Sequence, residues 1–162
     1  MRRAILILLP LILTACTNQG DRAQTVQSQI DSLQKKLDNT YKPGLGEFMS
    51  SIQVHHAKLW FAGTNRNWKL ADFEIQEIEE DLGNIQKFNA DRPEVKSIGM
   101  IMPPIDSINA AIKASDEKFF ERSFTTLTAT CNNCHLATAH EFNVITIPTT
   151  PPLSNQVFKP LK

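Results

Sequence analysis

The stretch SDEKFFERSFTTLTATCNNCH, residues 115 to 135, decides how the chain is read. Phe120, Phe124, Leu127, Cys131 and Cys134 recur at spacings of four, three, four and three, the period of one helix face. Ser115 stands where a helix cap is wanted. Asp116 and Glu117 follow in the first turn, where the helix dipole favours negative charge. Two thiols therefore continue an apolar seam and point toward a helical core. His135 lies four residues after Cys131, so its imidazole leaves nearly the same side, one turn along.

Working back along the chain, three more amphipathic segments are predicted. IGMIMPPIDSINAAIKAS, residues 98–115, is a helix interrupted near Pro103 and Pro104, whose missing amide hydrogens forbid regular bonding. It should run cleanly from Pro104 and bury Ile105, Ile108 and Ile112, after a turn through NADRPEV, residues 89–95. Before that turn, Asn67 is a plausible N-cap for a helix carrying Trp68, Ala71, Ile75, Ile78, Leu82 and Ile85 on one face. The opposite face, with Glu77, Glu80 and Asp81, reads as solvated. Another helix starts at Leu45 and should end at Gly63, with Leu45, Met49, Ile52, His56 and Leu59 facing inward and His55 on an exposed face. The fold class expected is all-α: an antiparallel four-helix bundle with short loops. The tail EFNVITIPTTPPLSNQVFKPLK, residues 141–162, carries four prolines and should be extended. Its Phe142, Val144, Ile145 and Phe158 would wrap the body.

The N-terminus has a different character. Arg2 and Arg3 precede an apolar run from Ala4 to Leu13 that is too short to span a bilayer, which needs about 20 residues. Leu13-Thr14-Ala15-Cys16 resembles the lipobox of bacterial lipoproteins, which implies that residues 1–15 are a signal peptide and that Cys16 is lipidated. Several acyl chains hold a protein to a membrane where one would not. Thr17 in place of aspartate leans toward the outer membrane. Residues 16–43 form a polar tether and a short helix in which Val26, Ile30, Leu33 and Leu37 follow a heptad spacing. That helix is either laid on its own domain, used as a stiff spacer, or a seam for a homo-oligomer. Pro43 and Gly44 break it from the domain spanning 44–162.

Charge excludes one class of partner. The 17 basic residues balance 17 acidic ones, and losing Arg2 and Arg3 with the signal leaves 15 against 17. There is no basic surplus or cluster to hold nucleic acid.

In an exported chain the compartment is oxidising, so Cys131 and Cys134 need a reason not to become an idle disulfide. CNNCH is the attachment sequence of c-type haem. The spacing suits the chemistry, because each thiol adds across one haem vinyl group and the adjacent imidazole reaches the iron as proximal ligand. A thioredoxin-like pair would sit where a strand meets a helix start, whereas these cysteines lie deep in a helix. A zinc site needs a fourth ligand, for which His140 could stand in. With one covalent haem c, His140 could also meet a propionate or the tail backbone, and Lys58 a propionate.

The arrangement resembles cytochrome c′ and its low-spin relatives, four-helix bundles whose CxxCH lies near the end of the fourth helix. By that resemblance Cys131 and Cys134 attach the haem and His135 is its proximal ligand. GLGEFMSSIQVHHAKLWFAGTNRNWKLADFE, residues 44–74, is also similar to small bacterial single-haem cytochromes that share the HAKLWFAG and NWKLA elements. The likeness covers residues 44 to about 158, and the proline-rich tail departs from cytochrome c′.

The sixth iron position separates electron transfer from gas binding. Met49 and His56 lie seven residues, or about 10.5 Å, apart along one helix face, so one haem cannot use both. In an up-down bundle the end of the last helix lies beside the start of the first, which brings the level of His135 closer to Met49 than to His56. The low-spin relatives are similar in taking a methionine from their first helix. Met49 is the candidate distal ligand, His56 the alternative, and an open site the third reading. Trp60 and Trp68 read as packing residues. The function expected is periplasmic, membrane-anchored one-electron transfer with redox partner proteins, and not an enzyme. The alternative is a five-coordinate protein binding nitric oxide or carbon monoxide.

Overall fold

The computed structural model describes residues 14–38 and 40–161, with backbone alone for 14–19 and 38. Residues 1–13, most of the expected signal peptide, and the side chain of Cys16 lie outside the described residues. The described chain is all-helical: α1 (Thr14–Asp38), α2 (Leu45–Thr64), α3 (Trp68–Phe88), a 3₁₀ segment (Pro93–Ile101), α4 (Met102–Ala114) and α5 (Glu117–Ala137). No strand occurs among the described residues, and none of their helices is long and apolar enough to cross a membrane.

The chain divides into two units, residues 1–42 and 43–162. In the first, α1 takes in the polar residues 17–25 as well as the heptad, and Val26, Ile30, Leu33 and Leu37 are 51–64% exposed.

In the second unit α2 packs along α3 and α4 along α5, with α2 also meeting α5; the 3₁₀ segment touches α3, α4 and α5. Ala71, Ile75, Ile78, Leu82 and Ile85 from α3 and Ile105, Ile108 and Ile112 from α4 are buried together, as the helical period requires. Phe120, Phe124 and Leu127 of α5 complete the core, with Trp60 stacked on Phe120 and Trp68 meeting it edge-on.

The helix ends correct several expectations. Gly63 is the penultimate residue of α2 and does not stop it. Arg66 does, in a left-handed turn at φ 57 closed by Arg66 N–H to Gly63 O (2.9 Å) and Asn67 N–H to Ala62 O (2.9 Å). Asn67 then caps α3, its side chain accepting from Leu70 N–H. Ser115 is not the cap of α5; it closes α4 at φ 53, and Asp116 caps α5 by accepting from Phe119 N–H at 2.9 Å. The two prolines sit in the first turn of α4, where a missing amide hydrogen is harmless, so they start that helix. Residues 98–101, expected within the interrupted helix, belong to the 3₁₀ segment instead.

On α3, Glu80 is exposed as expected, but Asp81 is half-buried. Residues 141–161 form neither helix nor strand. Phe158 of this tail is buried against Phe61, with ring centroids 5.6 Å apart, and Ile147 packs on the core. Phe142 and Val144, expected to wrap inward, are exposed instead.

Candidate functional site

The seam that makes α5 a core helix changes composition in its last two turns. Phe120, Phe124 and Leu127 fill their positions completely, whereas Cys131 and Cys134 are too small to do so and are only partly buried. A cavity opens there, lined by both thiols, His135 and Leu127 of α5, Met49, Ile52 and His56 of α2, Ile78 and Leu82 of α3, and Ile98 and Ile101. Two further clefts continue it, and all three share Met49 and His135. Their volumes are about 50, 160 and 360 Å³, together within the roughly 300–1,000 Å³ of cofactor sites. Four sequence-predicted residues, Cys131, Cys134, His135 and Met49, thus converge, and His56 joins them at two of the clefts.

Both cysteines are free. Burial, and secondarily the neighbouring Cys134, pushes the Cys131 thiol up to about 11; burial raises Cys134 as well. A redox-active or metal-binding pair needs the opposite, a thiolate favoured by positive charge or a helix N-terminus. These two stand near the C-terminal end of α5, where the dipole disfavours the anion. No group of three or more His, Cys, Asp or Glu able to hold a metal ion occurs among the described residues, and His140 does not complete one.

His135 is oriented from outside the helix. Its Nδ1 lies 2.6 Å from the carbonyl oxygen of Asn143. A carbonyl only accepts, so Nδ1 carries a proton, and in the neutral ring Nε2 is the nitrogen with the lone pair, the tautomer a metal-binding imidazole needs. The tail reaches this position because Ala139, at φ 58, turns the chain back: His140 N–H bonds His135 O at 2.8 Å and Asn143 N–H bonds His140 O at 2.9 Å. His140 itself donates from Nδ1 to Thr138 O at 2.7 Å.

His56 is differently held. Thr128 Oγ1 donates to Phe124 O at 2.9 Å, so toward His56 Nε2, also 2.9 Å away, it must accept. Nε2 therefore carries hydrogen and is occupied. The ring is buried against Phe124, centroids 4.4 Å apart, and desolvation lowers its pKa to about 4.

One acid corrects an expectation on α2. Glu74 of α3 is completely buried. His55, expected to be exposed, donates from Nδ1 to Glu74 Oε2 at 2.6 Å, with its side chain only 16% accessible. Lys58, offered as a propionate partner, lies with Nζ 3.6 Å from Glu74 Oε1. A carboxylate inside the protein needs polar partners, and His55 and Lys58 supply them. The sequence reading gave no role to Arg92, Asn132 or Asn143. Arg92, which pairs with Glu94 at 2.6 Å, lines the largest of these three clefts with His140 and Asn143.

Chemically, the site offers two neutral thiols, an imidazole nitrogen and a thioether around an apolar hollow. Cys131, Cys134, His135 and Met49 are the residues available to hold a cofactor. Compared with known family models, curated proteins and solved structures, the chain matches none.

Proposed function

We propose that the chain is a single-haem c-type cytochrome that accepts and passes one electron in the periplasm. The observation that carries this reading is the convergence of Cys131, Cys134 and His135 on one cavity, with His135 Nδ1 bonded to a carbonyl. That donor set fits one covalent haem c. Cys131 and Cys134 would hold its vinyl groups as thioethers, their neutral thiols suiting addition to an alkene, and His135 Nε2 would take the proximal position. Bound there, the group would supply a one-electron iron couple.

The protein's own side chains would do the rest. Ile78, Leu82, Ile98, Ile101 and Leu127 would exclude water and give the low dielectric that resists extra charge. Met49 is the preferred distal ligand, because it shares all three clefts with His135, while His56 has its Nε2 engaged by Thr128. The finer architecture belongs to the same reading: α2, α3, α4 and α5 as an antiparallel four-helix bundle with an extended, proline-rich tail. So does the address, with Cys16 lipidated, the domain held at the outer membrane, and electrons exchanged with redox partner proteins. We read it as a carrier, not an enzyme.

Absorption spectra of the oxidised and reduced protein test this directly. A low-spin spectrum with a near-infrared methionine-to-iron band, lost in Met49→Ala, is expected. A high-spin spectrum with ready carbon monoxide binding would replace electron transfer by gas binding, and an unchanged band in Met49→Ala would remove Met49.

A further inference from the structure

We infer that Asn132, the first variable residue of CNNCH, is a positioning residue that sets the electronic character of His135 through the tail. The inference rests on the haem reading above. Asn132 Nδ2 donates to Ile145 O at 2.9 Å, and its Oδ1 accepts from Ile145 N–H at 2.8 Å. Both atoms of one planar amide thus engage both backbone groups of one residue, as a neighbouring strand would. Two bonds to the same residue fix its orientation as well as its place.

The segment between is pinned at its other end by the left-handed turn at Ala139 and the His140 N–H to His135 O bond. Residue 143 lies between these two anchors, and its carbonyl is the one 2.6 Å from His135 Nδ1. Apolar burial does little for the segment before Ile145, because Phe142 and Val144 are exposed at 79% and 66%. The hydrogen bonds hold it. Asn132 also explains itself chemically: aspartate would lack the donor and serine the second group, whereas the adjacent Asn133 is exposed.

A short bond from Nδ1–H to a carbonyl increases electron density on the other ring nitrogen and makes it a stronger ligand, which favours the more highly charged, oxidised metal. Asn132 therefore holds the reduction potential down. Four full-length haem-loaded chains test this: wild type, Asn132→Ala, Asn132→Ser and Asn133→Ala. Each is measured for midpoint potential by optical redox titration and for hydrogen exchange of the backbone amides of residues 143 and 145. Asn132→Ala should speed exchange at both amides and shift the reduction equilibrium about tenfold toward the reduced form, roughly 59 mV for one electron. Asn132→Ser, which keeps one polar group of the two without adding charge, should fall between, and Asn133→Ala should match wild type.

A haem-loaded Asn132→Ala chain with the wild-type potential overturns the inference, even if its exchange is faster, because Asn132 would then be structural only. If that variant fails to fold, an Asn132→Ser potential equal to wild type does the same. A wild-type chain without haem is a different result: it sinks the functional reading and this inference with it.

Discussion

Gly63 shows what one hydrogen atom in place of a methyl permits. A Cβ built there would lie 2.2 Å from Cε1 and Cζ of Phe120. Phe120 has no accessible surface and is hemmed by Trp60, Trp68 and Phe124, with centroids 6.5, 6.1 and 6.0 Å away. It cannot withdraw, so Gly63→Ala should destabilise the protein by about 1–3 kcal/mol, read from the urea midpoint. Phe120→Leu in the same background should recover part of that loss, since the two sites share one space.

His56 makes a pH prediction at the same scale. Unfolded, its imidazole takes a proton at about 6.5; folded and desolvated, only at about 4. Between these values the unfolded chain binds more protons, so stability must fall as pH drops through that window and level off below it. Urea midpoints at pH 7 and pH 5 should show this fall for wild type and a smaller one for His56→Gln. An equal fall in both would assign the slope to other groups. His56 was legible as buried from its place on the α2 seam. His55 was not, because its burial depends on Glu74, an acid in a helix whose polar face gives no sign that one carboxylate turns inward.

At the scale of elements, α2, α4 and α5 end alike, each closed by a left-handed residue that is not glycine: Arg66, Ser115 and Ala139. The last costs most to explain, since an alanine there has neither a side-chain bond nor conformational freedom to offset its Cβ. Ala139→Gly should raise stability by about 1 kcal/mol in thermal or urea unfolding, with the spectrum of the site unchanged. A loss of stability would mean the greater freedom of glycine in the unfolded chain wins. These ends also mark how far the sequence could be read. The seams of α3 and α5 were plain from their period, and so was Asn67 as a cap. Gly63 marks the end of α2 one residue early, and Ser115, a residue type that favours helix starts, closes α4 instead. The carbonyl of Asn143 could not be found at all, because a backbone group leaves no mark in the residue it belongs to.

For the whole molecule, the site draws on α2, α3, the 3₁₀ segment, α5 and the tail, so no single element contains it. The three residues of the motif were legible because their spacing is local. The hollow they face depends on small thiols replacing large apolar groups on a seam that otherwise fills its space. The account stands on Cys131 and Cys134 each forming a thioether to one porphyrin. The most direct test is the mass of the denatured full-length protein, matured in a host competent for c-type cytochrome assembly, beside that of Cys131→Ala/Cys134→Ala. The account predicts that the wild-type chain carries the mass of one haem through denaturation and that the double variant does not. A wild-type mass explained by polypeptide and lipid alone would contradict it.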